Sequence, residues 1–459
     1  DWVSLSYPVH GLGRIWKITL KEPVDQAPLP RETETELDLT LALQQLGDAD
    51  PYVRTAAMEV LQSSPETLKS HDWRSRSSAV ARAHFAVALK RSDPIGAAGI
   101  IPDLLNDSSA DVRYVGIKWI ADEKLVDFRE DLAAQLDRDD LKRRDLYAVV
   151  AAMAEVGGGL KKEFSPGDAL LALARDPSKS GNLRALALHG VPVDHNALTV
   201  EVLDRLTKAT TLRLQKEAVR TLAIHPDPAR VRVLSEVAAS RDHKVGVRAD
   251  AIAGLAEFAS EEQPLLESLL SDPSPIVAEE ARRTLGSAGL KRRDLGAKPA
   301  MNDIAAWEAL LEAVPGEADL SVGRRLFFHG RLATCSKCHA MNGRGLEVGP
   351  DLTTIGQQAG GGVSWLLTHI LDPSAEVAPY FRPQMITTRD GQSRMGFILG
   401  KEGKAQGYIG PDGSKFSVLK ADVVAREELP ISLMPPGLIM ALTDSEIRDL
   451  LTYLLEGRE

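Results

Sequence analysis

The five residues CSKCH, at positions 335–339, decide how the last third of the chain is interpreted. They contain the only two cysteines among 459 residues, and a histidine follows the second cysteine directly. Cys-x-x-Cys-His is the pattern for covalent attachment of haem c: two thiols add to the vinyl groups of one porphyrin, and the adjacent imidazole binds its iron. The motif therefore predicts one covalent haem c, anchored by Cys335 and Cys338, with His339 as an iron ligand.

Two other uses of the cysteine pair remain open on the sequence. A redox dithiol of the thioredoxin type needs a strand before the motif and a helix after it, whereas MNGRG at 341–345 indicates a loop. A structural zinc site needs four good ligands, and without a further cysteine it would have to recruit distant histidines. Haem attachment is the interpretation that the motif favours.

Length and composition describe a globular chain of several domains. A chain of 459 residues predicts about three domains. No apolar run approaches the ~18 to 20 residues that span a bilayer. The net charge is −10 and the basic residues are scattered, so we expect no nucleic-acid partner. Because haem c is attached outside the bacterial cytoplasm, we expect a periplasmic or otherwise exported protein. The sequence begins without an export signal, so this chain is expected to be a mature product or a fragment.

Residues 36–288 predict helical repeats. Apolar residues recur at helical spacing between breaks, and the anchors Leu183, Leu214, Val247 and Val277 are 31, 33 and 30 residues apart. This period resembles that of HEAT repeats, which form an α-solenoid whose concave face is commonly a partner surface. The arginines that follow the turns are expected to pair with carboxylates or carbonyls of neighbouring repeats, not to form a site.

Residues 319–459 predict a separate unit after a linker and short helix at 289–318. Gly323 and Phe327 lie on one face of a predicted helix at 319–330, and a capping box at 443–446 begins the last helix. A glycine one turn from an aromatic residue lets another helix approach closely, so Leu450 and Tyr453 are expected to pack there. With the CSKCH motif, these features resemble class I cytochromes c.

That resemblance implies two further roles. The carbonyl of Pro350 would accept a hydrogen bond from the iron-bound His339 and fix its orientation. The sixth iron ligand would be Met434, which follows the attachment site on a proline-containing loop before the last helix. Met341 is too close to His339 in sequence to reach the opposite face of a haem. The other candidates are Met440, the fallback, then Met385, Met395 and His369.

A small antiparallel sheet is predicted at 384–420, inside this unit. Asp390-Gly391 and Asp412-Gly413 separate alternating segments, and Asp-Gly between such segments is a strong hairpin signal. The sheet is expected to cover the haem edge or to dock a partner.

The order of these features resembles one family, the planctomycete-type haem-binding CxxCH proteins, which combine a dehydrogenase-like propeller, HEAT repeats and a cytochrome c. The matching stretches are YPVHGLGRIW (7–16), CSKCH (335–339), LDPS (371–374), RDG (389–391) and SLMP (432–435). Residues 1–35 are predicted to contain short strands at 2–20 followed by a linker. The strands either pack on the helices behind them or, as the resemblance implies, are the end of a propeller. Any dehydrogenase activity would then lie in a part absent from this chain.

The expected function is electron transfer by a periplasmic monohaem cytochrome, from a sugar or alcohol dehydrogenase-like domain or partner to another redox carrier. The alternative is an interaction scaffold of helical repeats in which the haem is structural or sensory. A haem enzyme or gas sensor would require an open sixth position on the iron.

Overall fold

The computed structural model of the protein describes residues 39–76, 78–158, 165–358 and 362–457. The strands and linker predicted at 1–35 lie outside these ranges. The described chain is mainly helical with one small antiparallel sheet, as the sequence predicts. None of its helices is long and apolar enough to cross a bilayer. Contacts divide it into two compact units, one up to Ala218 and one from Val219 onward.

The first unit consists of helices that pack against their neighbours in sequence, as expected for HEAT-like repeats. Several begin at a polar cap, and the Asp50 carboxylate accepts from the Tyr52 amide at 2.8 Å before a helix that starts with proline. Its helices are α1 (Leu39–Gln45), α2 (Pro51–Gln62), α3 (Pro65–Ser70), α4 (Ala79–Ser92), α5 (Ile101–Leu105), α6 (Ala110–Asp122), α7 (Arg129–Ala134), α8 (Arg143–Val156), α9 (Pro166–Arg175), α10 (Gly181–Gly190) and α11 (Val200–Thr207).

The arginines after the turns have the structural role that the sequence predicts. Arg113 is buried, donates to a backbone carbonyl at its own turn and reaches the Asp140 carboxylate of the following repeat at 2.6 Å. Arg248 bonds the Asp272 carboxylate at 2.7 Å and the Ala238 carbonyl at 2.9 Å in the same way. These contacts bind each repeat to the next.

The second unit joins further repeats to the segment that carries the CSKCH motif. Helices α13 and α14, and then α15 and α16, form consecutive pairs before the chain enters this segment. Its helices are α12 (Leu212–Ile224), which begins in the first unit, α13 (Arg230–Ala239), α14 (Val245–Gly254), α15 (Gln263–Leu269), α16 (Pro275–Ser287), α17 (Ile304–Glu312), α18 (Leu320–Phe327), α19 (Ile355–Gln358), α20 (Gly362–Leu371) and α21 (Asp444–Glu456).

Helices α18 and α21 cross closely at Gly323, which confirms the predicted contact. A Cβ atom at Gly323 would lie 2.1 Å from the Asp449 carbonyl oxygen and 2.7 Å from Cβ of Tyr453. The rings of Phe327 and Tyr453 are 6.0 Å apart one turn further on. The predicted capping box at Thr443 is also present. The two helices and their neighbours enclose one apolar core.

Buried ion pairs join the last repeats to these crossing helices. Glu280 on α16 accepts from Arg325 on α18 at 2.7 Å, and Arg283 donates to Glu446 on α21 at 2.6 Å. All four side chains are at least nine-tenths buried. Removing one partner would strand a buried charge, which costs about 3 to 5 kcal/mol. The last repeats and the CSKCH segment therefore form one packed body within this unit.

The sheet has five antiparallel strands in the order β4-β3-β2-β1-β5. They are β1 (Gln384–Thr388), β2 (Ser393–Glu402), β3 (Ala405–Ile409), β4 (Lys415–Leu419) and β5 (Val423–Glu428). Both Asp-Gly pairs form hairpin turns, as predicted, with Gly391 and Gly413 each at a φ of 81°. The fifth strand lies beyond the predicted end of the sheet at 420. It is an almost fully exposed edge strand, so it lacks the alternation that marks half-buried strands.

Candidate functional site

The CSKCH motif follows a backbone kink that ordinary residues rarely adopt. Ala333 and Thr334 have φ values of 53° and 50°, in the left-handed region, and neither is glycine. A single 3₁₀ turn at Cys335–Lys337 follows, and the His339 amide donates to the Cys335 carbonyl at 2.9 Å. Such conformations cost of order 1 to 3 kcal/mol and cluster at functional sites. The turn places both thiols and the imidazole within one compact loop.

The chain after the motif folds back and hydrogen bonds to it. The Leu346 amide donates to the Ser336 carbonyl at 2.9 Å, and the Gly349 amide donates to the Cys338 carbonyl at 2.7 Å. Gly345, with a φ of 109°, permits this return, because a Cβ atom there would lie 2.2 Å from the His339 carbonyl oxygen. The attachment segment, residues 332–352, is thus fixed largely by bonds within itself.

His339 is oriented by the carbonyl that the sequence predicts. Its Nδ1 lies 2.8 Å from the Pro350 carbonyl oxygen. Because a carbonyl can only accept, Nδ1 carries the hydrogen, and Nε2 has the lone pair that a metal ion would use. Burial lowers the pKa of His339 despite the Pro350 bond and the charge of Asp351, which favours the neutral imidazole.

Gly349 provides the space for this imidazole. A Cβ atom at Gly349 would lie 2.5 Å from Cε1 and 2.8 Å from Nδ1 of His339. Any side chain there would displace the ring from its bond to Pro350. This role of Gly349 was not predicted from the sequence, although a glycine directly before Pro350 was the available signal.

The two cysteines are free thiols in an environment that disfavours the thiolate. Burial, with a smaller contribution from Cys338, raises the pKa of Cys335 to about 12, and burial also raises the pKa of Cys338. Reactive redox dithiols instead have a thiol with a lowered pKa. The environment of these two thiols therefore disfavours the thioredoxin-type alternative.

Each cysteine contacts a different core. Cys335 packs against the helical core that contains Phe327 and, at its edge, Met440. Cys338 packs against a small cluster of Val348 with Phe397 and Ile409 of the sheet. The attachment segment therefore lies between the helical core and one face of the sheet.

The loop that contains Met434 reaches this second cluster. Leu433 packs against the same cluster as Cys338, and the backbone amide of half-buried Met434 donates to Ser432 Oγ at 3.1 Å. The Ser432 amide in turn donates to Ser374 Oγ at 3.1 Å. The structure thus brings the neighbour of the predicted sixth ligand to the attachment segment, which keeps Met434 a candidate.

The remaining candidate ligands fall into three environments. Met385 pairs with Met395 across β1 and β2, and Met395 shares a strand face with Phe397, the face that packs toward Cys338. Met440 lies at the edge of the helical core, and the fully buried Met341 lies inside it. The ring of His369 lies 4.0 Å from that of Trp365, and its Nδ1 lies 2.8 Å from the Trp365 carbonyl oxygen, so this side chain packs against its own helix.

No group of three or more His, Cys, Asp or Glu side chains arranged to hold a metal ion occurs among the residues that the structure describes. The zinc alternative therefore finds no ligand set within those ranges.

No protein-family model matches the chain, and no curated protein matches it. Among solved structures, human deoxyhypusine hydroxylase in complex with glycerol aligns with 54% of this chain and 94% of its own, at 17% identity and a TM-score of 0.23. An engineered protein aligns with 54% of this chain and 95% of its own, at 22% identity and the same TM-score of 0.23. Similarities at this TM-score support no assignment of function.

Proposed function

We propose that this chain is a monohaem c-type cytochrome of class I type that transfers electrons, with the haem bound covalently through Cys335 and Cys338. The observation that carries the proposal is the geometry of His339. Its Nδ1 donates a hydrogen bond to the Pro350 carbonyl at 2.8 Å, so Nε2 has the lone pair that would bind iron. Two residues of the same loop, Cys335 and Cys338, have free thiols. This is the arrangement that an iron-ligating histidine needs.

The chain's own residues would hold such a group from both sides. Helix α18 and its neighbours form the apolar wall beside Cys335, and the sheet adds a second apolar wall beside Cys338. Apolar walls exclude water from the bound iron and thereby influence its reduction potential. This packing supports one of the two predicted roles of the sheet, that of covering the haem edge.

Met434 is proposed to hold the haem iron together with His339. A haem held by one histidine and one methionine would supply one-electron exchange at a raised reduction potential. Each residue would then have one task. His339 and Met434 would bind the iron, the Pro350 carbonyl would orient the His339 imidazole, and the two cysteines would prevent dissociation of the porphyrin. None of them has to donate or accept a proton during this transfer.

The proposal extends to location and partners by the family resemblance. Maturation of a covalent haem c would take place in the periplasm or otherwise outside the cytoplasm. The electron donor would be a dehydrogenase-like domain or partner, and the acceptor another redox carrier. The helical repeats offer a further surface for a protein partner.

The experiment that tests the proposal begins with protein produced in a periplasm that matures c-type cytochromes. Denaturing mass spectrometry should give a mass increase of one haem that survives unfolding. Rapid mixing of the reduced protein with a small oxidised cytochrome c should then give single-electron reoxidation. Covalent haem without electron exchange with any carrier would favour the scaffold alternative, and a mass without haem would refute the proposal.

A further inference from the structure

A small cavity in the second unit is lined mainly by arginines. It has a volume of about 30 Å³ and lies where helices α12 and α14 meet α18 and the loop after His339. Four guanidinium groups and one carboxylate line it, from Arg220, Arg324, Arg325, Arg344 and Asp250. The excess of positive charge distinguishes this cavity from the ion pairs elsewhere in the unit.

Two of the arginines are almost completely buried. Arg325 is 4% exposed and Arg344 is 7% exposed, and Asp250 between the helices is 6% exposed. A buried charge is costly unless an opposite charge lies close to it. The charged side chains of the lining are four positive and one negative, a net charge of +3.

Two carboxylates that pair with arginines of the lining, Asp250 and Glu280, are each shared between arginines. Asp250 accepts from Arg220 at 3.0 Å and lies 3.5 Å from Arg325. Glu280, which lies outside the lining, is shared by Arg325 and Arg283. Although burial raises it, the charges of Arg220, Arg324 and Arg325 keep the pKa of Asp250 below its ordinary value. The local field is thus positive at the cavity.

The size and chemistry of the cavity define what it would bind. A water molecule needs roughly 10 to 15 Å³, so the cavity has room for a group larger than one water. A guanidinium group has five N–H donors in a planar fork that matches the oxygens of an oxyanion. Such a group can bind an anion in addition to its protein partners.

We propose that this cavity is a binding site for a small oxyanion of the phosphate or sulfate class. The anion would be held jointly by Arg220 from the repeats, Arg324 from α18 and Arg344 from the loop after His339. It would stabilise the junction between the last repeats and the CSKCH segment. The proposal does not depend on haem being present.

The test is isothermal titration of the full mature chain with sodium sulfate and with sodium phosphate, against sodium chloride at equal ionic strength. The protein is first dialysed into a buffer without oxyanions. We expect a single saturable site for an oxyanion and an accompanying rise in the unfolding temperature. No binding, or equal responses to chloride and oxyanions, would overturn the proposal.

Matched variants localise the effect. Arg324 is partly exposed and rests over the Phe328 ring at 4.7 Å, so Arg324→Gln should fold and bind at least tenfold more weakly. Arg382→Gln removes an exposed arginine that pairs with Glu428 on the sheet, and it should bind like the parent protein. If Arg324→Gln does not fold, Arg324→Lys serves instead and should also weaken binding. Unchanged affinity in the folded Arg324 variant would refute the site.

Discussion

The two sides of the proposed haem site are built in different ways. The backbone of the attachment segment, residues 332–352, is fixed largely by hydrogen bonds between residues close in sequence, including that of His339 to Pro350. Two of its side chains, Asn342 and Arg344, also donate to the distant Gly457 carbonyl and Thr221 hydroxyl. The Met434 loop, residues 429–437, depends on distant parts of the chain. The Leu429 amide donates to the Pro383 carbonyl at 2.9 Å, and the Ser432 amide donates to Ser374. A local motif therefore specifies one side, while long-range packing of helices and sheet specifies the other.

The largest effect is expected from removing the thiols of the attachment segment. The double variant Cys335→Ser/Cys338→Ser should lose covalent haem completely, because no other cysteine exists in the chain. Denaturing mass spectrometry measures this directly. Lys337→Ala, between the two thiols, is the matched control and should retain haem, since Lys337 only contributes an exposed ion pair to Glu257. Haem that survives denaturation of the double variant would contradict the assignment.

The second prediction concerns the long-range side. Met434→Ala should lower the reduction potential by about 0.1 V or more, within the range of about 0.8 V that axial ligands span. Spectroelectrochemical titration measures the shift. Met395→Ala and Met440→Ala are the controls, because Met395 belongs to the sheet face near Cys338 and Met440 to the helical core near Cys335. A larger shift in either control would transfer the sixth-ligand role to that residue.

A third prediction tests the local side at the imidazole. Gly349→Ala places a methyl group 2.5 Å from Cε1 of His339 and should displace the ring, lowering haem incorporation and weakening the ligand. Pro350→Ala keeps the carbonyl that accepts the hydrogen bond, so its effect should be smaller. The haem content per chain and the absorption spectrum of the oxidised protein measure the effect of each variant. Equal effects of the two variants would show that Gly349 has no special role.

A fourth prediction concerns the helical core behind Cys335. Gly323→Ala forces a Cβ atom to within 2.1 Å of the Asp449 carbonyl, so helices α18 and α21 must separate. Overpacking of this kind lowers the free energy of unfolding by about 1 to 3 kcal/mol. Urea denaturation gives the value, and Gly99→Ala, where an added Cβ would contact nothing within 4 Å, is the control. Similar stabilities of the two variants would contradict the close crossing.

The smallest expected effect concerns the reactivity of the Cys335 thiol in the haem-free chain. With the pKa of Cys335 raised to about 12 by burial, its thiolate is scarce at pH 8 and increases as the pH rises toward that value. Alkylation by iodoacetamide should therefore be at least tenfold slower than for an exposed cysteine at pH 8, and it should accelerate with pH. Fast alkylation of Cys335 near neutral pH would instead favour a redox dithiol.

Sequence reasoning succeeded where the determinants are close together in the chain. The Asp-Gly hairpins, the capping box at Thr443 and the bond of His339 to Pro350 each depend on residues within about a dozen positions. These features require little knowledge of how distant segments meet. The crossing at Gly323 is the exception, because it joins distant helices and was predicted from the glycine one turn from Phe327.

The features that the sequence did not predict depend on long-range packing. Strand β5 pairs along one edge with its side chains in solvent, so Arg426 and Glu427 carry no strand periodicity. The contact of the sheet with Cys338 and the arginine cavity at Arg344 join segments that are tens to more than a hundred residues apart. Neither spacing nor composition within one segment indicates such a neighbour.

The most direct test of the central claim is the visible absorption spectrum of the mature protein, oxidised and reduced, with and without carbon monoxide. A covalent haem ligated by His339 and Met434 predicts a low-spin c-type spectrum, a weak long-wavelength sulfur-to-iron band, and no change on adding carbon monoxide. A high-spin spectrum, or rapid binding of carbon monoxide, would contradict ligation by Met434 and indicate an open iron suited to sensing or catalysis.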